Sequence, residues 1–174
     1  MSDLNWACET SIKWMSQLFQ HKKIENPVIV IDVDDTLVFG DPEQTIGVKE
    51  MELGEYNGQT IFVLPPNPPI VKIAQWAYNN KIFVIVLTAR PKSSETATIT
   101  NLKMFNIPYH KLIMNNGNED PEFKIGMRKA ISQKYNIILS VGDQPCDVLL
   151  PGRSGILKLP SLEHKNSYFL PGIF

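Results

Sequence analysis

A chain of 174 residues is long enough to bury one sizeable core, so a single domain spanning 1–174 is expected. Its 17 basic and 18 acidic residues nearly cancel, which excludes a global electrostatic pull toward nucleic acid or membrane surfaces. Two cysteines, Cys8 and Cys146, do not make a disulfide framework, no apolar run is long enough to span a bilayer, and no basic segment followed by an apolar core opens the chain; a cytoplasmic address is the default expectation.

Residues 3–24 read as a helix within an N-terminal segment 1–26. Leu4, Ala7, Cys8, Ile12, Met15, Leu18 and Phe19 recur every three or four positions and form one apolar stripe, which Trp6 and Trp14 would widen. Ser2 or Asp3 can cap its start and Asn26-Pro27 ends it. Packing against a sheet or a second subunit is its expected role. Residues 28–38 then read V-I-V-I-D-V-D-D-T-L-V. The first four are apolar at every position, the pattern of a central parallel strand buried on both faces. Asp32, Asp34 and Asp35 stand where that strand ends, and open α/β sheets place their ligand crevice there. Carboxylates so close repel one another unless something cationic binds. Mg²⁺ is the natural answer, since it is commonly held by one or two carboxylates together with substrate phosphate. The plain alternative is a strand followed by an acidic turn.

After a loop at 39–42, the segment 45–66 contains two short candidate strands, 45–51 and 59–64. Gly54 and Asn57-Gly58 between them have hairpin turn chemistry, so a small flap beside the strand end is predicted, with Tyr56 at its tip. Prolines then crowd around Asn67, which is expected to cap a helix with Pro in its first turn; Ile70, Ile73, Ala74 and Ala77 carry that helix to about Asn79. Residues 82–87 (I-F-V-I-V-L) form a second buried strand running into Thr88-Ala89-Arg90. There a hydroxyl and a backbone N–H could bind an oxyanion, and a guanidinium could add bidentate reach.

Ser93 or Ser94 caps the next helix, which carries Ile99, Leu102 and Phe105 toward Asn106. A weaker strand at 110–114 and a loop follow. Asp120-Pro121 then opens a helix running to about Tyr135. Lys124 lies in its first turn, where an ammonium opposes the helix dipole and wants a nearby anion; Lys129 and Lys134 lie too far down to reach a strand-end crevice. Residues 137–141 form another apolar strand, followed by G-D-Q-P-C-D with Asp143 and Asp147. A last strand or loop spans 152–159, and the apolar tail 168–174 should pack on the body or on a partner subunit.

Taken together, D-V-D-D-T at 32–36, Thr88, Lys124 and G-D-x-x-x-D at 142–147 resemble, in order and context, the four motifs of the haloacid dehalogenase (HAD) superfamily of phosphohydrolases. T-A-R, F-K, S-V-G-D-Q-P-C-D and L-K-L-P make the chain look like the acid phosphatase branch, subfamily IIIB, over roughly 27–160. The resemblance implies a Rossmann-like three-layer α/β sandwich around a mostly parallel sheet, with the hairpin as a small flap and no large cap domain. It implies Asp32 as nucleophile and Asp34 as general acid/base. Thr88, Ala89, Arg90 and Lys124 would bind phosphate. Mg²⁺ would be held by Asp32, Asp143 and the backbone carbonyl of Asp34, with Asp147 a further ligand or an orienting neighbour.

The implied activity is Mg²⁺-dependent hydrolysis of nucleotides or other small phosphomonoesters through an aspartyl-phosphate. A crevice without a large cap suits bulky substrates, or closure by a second subunit in a homodimer. Two other readings stand beside it. One is an end phosphatase on nucleic acid, against which the near-neutral charge weighs. The other is a non-catalytic module that uses the N-terminal helix and C-terminal tail for partner contacts. Familiar members of the branch are secreted or periplasmic, and no leader is seen here, which leaves compartment and physiological substrate open.

Overall fold

Runs of β-branched and long aliphatic residues organise the chain around one sheet. The computed structural model describes residues 3–39, 51–56, 59–117, 120–148, 154–159 and 167–173. In order, these form α1 (Asp3–His21), β1 (Pro27–Ile31), β2 (Met51–Tyr56), β3 (Gln59–Val63), α2 (Pro68–Asn79), β4 (Phe83–Pro91), α3 (Glu95–Met104), β5 (Lys111–Asn115), α4 (Asp120–Ser132), β6 (Asn136–Gly142), α5 (Pro145–Val148), β7 (Gly155–Lys158) and β8 (Tyr168–Leu170). A 3₁₀ turn, Lys92–Ser94, leads into α3. Six strands make one sheet in the order β5-β4-β1-β6-β7-β8. All its pairings are parallel except that of β8, which runs antiparallel to β7. This is the mostly parallel Rossmann-like α/β architecture that the sequence motifs imply.

β1 sits between β4 and β6, with Ile31 opposite Val86 on one side and Val141 on the other. Alternation along the strand sends its side chains to two cores. Ile29 and Ile31 join Ala7, Cys8 and Met15 of α1 and Ile70, Ile73 and Ala74 of α2; Val28 and Val30 join Ile85, Leu87, Phe123 and Ile131 on the α4 side. Helices therefore cover both faces, which is why β1 reads apolar at every position. Among the described residues, only the β2–β3 hairpin and α2 lie between β1 and β4.

Several local expectations are corrected. α1 ends at His21 rather than 24, and Trp6 is 57% exposed, off the apolar stripe, whereas Trp14 packs its ring on Phe169 of β8. A hairpin strand runs over Met51–Tyr56, so Gly54, expected in the turn, lies within it and pairs with Ile61; positions 45–50 of the expected first strand and the turn residues 57–58 lie outside the described residues. The N-terminal cap of α2 is Asn67, but its side-chain amide caps nothing. Pro69 has no N–H to offer, and the N–H groups of Ile70 and Val71 bond instead to the backbone carbonyl of Asn67. Ser94 precedes α3 with its hydroxyl turned back to Pro91 O, because the 3₁₀ turn intervenes. The strand expected at 110–114 begins one residue later. His110 is pinned beside β4 by its own ring, whose Nδ1 accepts from Val84 N, and it stacks between Tyr78 and Phe83. No helix among the described residues is long and apolar enough to cross a membrane.

The returning end of the hairpin is tied to the rim where β1 ends. Phe39 N donates to Pro65 O at 2.9 Å and Asn67 N to Leu37 O at 2.8 Å. Buried Asn101 of α3 clamps Leu64, accepting from its N–H and donating to its carbonyl, both at 2.9 Å. Asn101→Ala removes both partners of Leu64 and should cost about 1–3 kcal/mol, read as a lower urea midpoint at unchanged slope.

Candidate active site

The chain leaves β1 through Asp32, whose N–H still donates to Val141 O at 3.1 Å and keeps it in line with β6. Thr36 N and Val38 N then both bond back to Val33 O, and Asp35 takes a left-handed conformation (φ 53°) that Asp tolerates better than most residues. This tight return keeps Asp32 inside and turns Asp34 outward. Asp32 is almost wholly buried, and the side chain of Asp34 is 44% exposed.

Lys124, from the first turns of α4, is buried and bridges two carboxylates. Its Nζ lies 2.8 Å from Asp32 Oδ1 and 2.8 Å from Asp147 Oδ1. Thr36 Oγ1 lies 3.4 Å from Asp32 Oδ2, a long contact. Asp147 is fully buried and its other oxygen accepts from Gln144 N at 3.0 Å. The Gln144 side chain donates to Asp143 Oδ2. Lys158 of β7, also buried, donates to the backbone carbonyls of Asp143 and Leu159, bracing the loop from behind.

Asp32, Asp143 and Asp147 each offer a carboxylate oxygen within 4.8 Å of the others, all three residues buried. Burial, then the Asp147 charge, pushes the Asp32 carboxyl well above the ordinary carboxylate range, although Lys124 pulls the other way. Burial also raises Asp143, with Asp147 and Asp35 adding to it and the Gln144 hydrogen bond opposing. Burial alone would favour a neutral Lys124, but Asp32 and Asp147 together hold it protonated, with its pKa raised. Clustered hard oxygen donors whose ionisation is resisted fit a divalent cation.

The second acid of D-x-D is held differently. Arg90 grips the Asp34 carboxylate bidentately, Nε to Oδ2 at 2.9 Å and Nη2 to Oδ1 at 2.6 Å, and its Nη1 donates to Thr98 Oγ1 at 3.1 Å. The fork expected to reach an oxyanion is thus taken by Asp34. The Asp34 side chain stands outside the three-acid cluster. Asp32, Asp34, Asp35, Ala89, Lys124, Asp143 and Gln144 line a cleft of about 180 Å³. Thr88 is fully buried and is not among them; its Oγ1 accepts from Arg90 N at 3.2 Å.

Sequence reasoning missed three contributors. Gln144 lies inside the G-D-x-x-x-D segment and ties its two acids together. Lys158 hides in the apolar run G-I-L-K-L, where a charged residue is itself a signal. Arg128 of α4 is fully buried, and its only clue was its place four residues after Lys124.

Residues 1–162 match the family model described as HAD superfamily, subfamily IIIB (acid phosphatase). The fold is similar to that of the class C acid phosphatase from Bacillus anthracis, with a TM-score of 0.62 and 19% identity over 87% of this chain and 65% of that one. It is also similar to the class C acid phosphatase from Bacillus anthracis with tungstate bound, with a TM-score of 0.58 and 19% identity over 86% of this chain and 66% of that one. This chain therefore spans just under two thirds of the length of either chain. Comparison with curated proteins gives no match.

Gly142 has a steric reason. A Cβ there would lie 2.1 Å from Asp147 Cβ and 2.5 Å from its Cγ, so the Asp147 side chain fills the space a side chain at 142 would need. Gly142→Ala should push Asp147 off Lys124 and cost about 1–3 kcal/mol or more, measured by urea unfolding.

Proposed function

The chain belongs to subfamily IIIB of the HAD superfamily, the acid phosphatases, and from that premise we propose that it hydrolyses phosphomonoesters through an aspartyl-phosphate on Asp32. One observation carries the reading: a buried Asp32 paired with Lys124 at the rim of a parallel sheet, with Asp143 and Asp147 beside it. Asp32 Oδ attacks phosphorus, and the bond from phosphorus to the ester oxygen breaks as that oxygen takes a proton from Asp34. A water then attacks the aspartyl-phosphate and passes its proton to Asp34. Inorganic phosphate leaves and Asp32 is regenerated. Lys124 lies against the attacking carboxylate and offsets charge on the phosphoryl oxygens, while Asp147 anchors its ammonium. The Ala89 N–H would position those oxygens from the cleft wall, Thr88 would reach them only by turning its hydroxyl from Arg90 N, and Arg90, released from Asp34, adds a further contact.

Asp32, Asp143 and the backbone carbonyl of Asp34 would hold Mg²⁺, with Asp147 behind them. When bound, the ion supplies Lewis-acid stabilisation of the phosphoryl charge. The cleft suits small phosphomonoesters, nucleotides among them. A panel of nucleotides, 3′-phosphorylated oligonucleotides and phosphopeptides would sort the substrate class, and the same panel tests an end-phosphatase role.

Asp32→Asn should abolish Mg²⁺-dependent release of p-nitrophenol from p-nitrophenyl phosphate while leaving the fold intact. Lys124→Ala should lower kcat about a hundredfold or more. Full activity of Asp32→Asn, after excluding deamidation, would end the assignment.

Mg²⁺ should also raise Tm, and by more at neutral than at acidic pH. A carboxyl whose folded pKa is raised stabilises the fold below its unfolded value of about 4 and loses that contribution as pH rises through the folded value. Asp32 and Asp143 are both raised, so ionising them destabilises the metal-free protein at neutral pH, and the cation offsets it. At low pH protons compete for the same oxygens. A Tm gain equal at pH 5 and pH 7.5, or none at either, would contradict this.

A further inference from the structure

Arg128 has no part in the reaction above, yet it is a fully buried guanidinium beside the site. It follows Lys124 by four residues, so the two cations share one face of α4 a single turn apart. α4 packs on α5, which carries Asp147, and on β6, which leads into Asp143. Arg128 Nη1 donates to Ser140 Oγ on β6 at 2.9 Å, while its Nε and Nη2 have no hydrogen-bond partner among the described residues. A guanidinium stays charged even when buried, and leaving N–H groups unpaired is costly. Hydrogen bonding does not explain why a cation is kept there. Its surroundings do: Lys124, one turn away on the same helix, binds both Asp147 and Asp32, α4 packs on the helix that carries Asp147, and these two carboxylates oppose the lowering of the Arg128 pKa by burial.

We infer that Arg128 is a positioning residue. Fixed by Ser140 of β6 and one turn along α4 from Lys124, it balances Asp147 so that the ammonium of Lys124, shared between Asp147 and Asp32 at rest, can turn to the phosphoryl group. A single ammonium has an N–H for each of two carboxylates and an incoming phosphoryl oxygen, but only one positive charge to set against all three. A second cation that never touches substrate relieves that conflict, and its planar fork is harder to displace than a second lysine. The inference rests on the proposed phosphoryl transfer.

The test is a double-mutant cycle in the full chain, using Arg128→Met, Arg128→Lys, Asp147→Asn and the Arg128→Met/Asp147→Asn pair. kcat and KM are measured on p-nitrophenyl phosphate with Mg²⁺, and stability by urea unfolding. Arg128→Met should lower kcat about tenfold or more with KM within about twofold, because Arg128 does not touch substrate. Arg128→Lys should recover most of the loss. The pair should be no slower than the slower single variant, since both act on one element. Multiplicative losses, or a lysine variant no better than methionine, would overturn the inference. If Arg128→Met alone does not fold, Arg128→Gln takes its place in the cycle and is judged by the same criterion. Wild-type protein that hydrolyses nothing would refute the hydrolase reading instead. The coupling would then be judged from unfolding, where additive costs end it and sub-additive costs sustain it.

Discussion

One ammonium between two carboxylates organises this protein. Lys124 meets Asp32 and Asp147 at 2.8 Å each, with all three groups nearly without solvent. A buried ion costs several kcal/mol in lost hydration unless its partners are in place. The arrangement therefore exists only when β1, α4 and α5 are assembled together. The parallel crossovers through α2, α3 and α4 do this by bringing the ends of β1 and β6 side by side. Gly142 keeps the space that Asp147 fills, Gln144 ties Asp147 to Asp143, and Lys158 braces the same loop from β7.

Beside this dry cluster stands a second pair of another kind. Asp34 and Arg90 meet in a bidentate contact, but the Asp34 side chain is 44% exposed. An ion pair of that exposure is screened by water and changes partner at modest cost. The proposed division of labour follows: a nucleophile kept dry and pinned, and an acid/base group kept open to water. The two acids lie two residues apart in one motif. Their environments differ because Asp32 is still bonded to β6 through Val141 O, whereas the chain after it folds back onto Val33 O with Asp35 in a left-handed conformation.

Much of the fold was legible because burial on both faces writes itself plainly. Residues 28–31, 82–87 and 137–141 are apolar almost without a break, and each is a central strand. The acids and the hydroxyl at their ends were legible for the same reason, since polar residues there break a continuous apolar pattern. Local chemistry was read less well where two devices compete for one backbone group. Asn67 is a good capping residue, but the prolines beside it removed one donor and its own carbonyl took the others. Trp6 lies beside the apolar stripe of α1 in sequence and faces solvent in space.

Sequence alone therefore determined the strand order in time, the residue types at each strand end and the family to which they point, because hydrophobic periodicity and motif spacing are local properties of the chain. Tertiary structure alone decided the partners: that Arg90 takes Asp34, that Lys124 divides itself between Asp32 and Asp147, and that Arg128 and Lys158 stand buried behind them. Electrostatic pairing depends on distance and on exclusion of water, and neither exists until segments far apart in the chain, such as Asp32 and Lys124, have packed together.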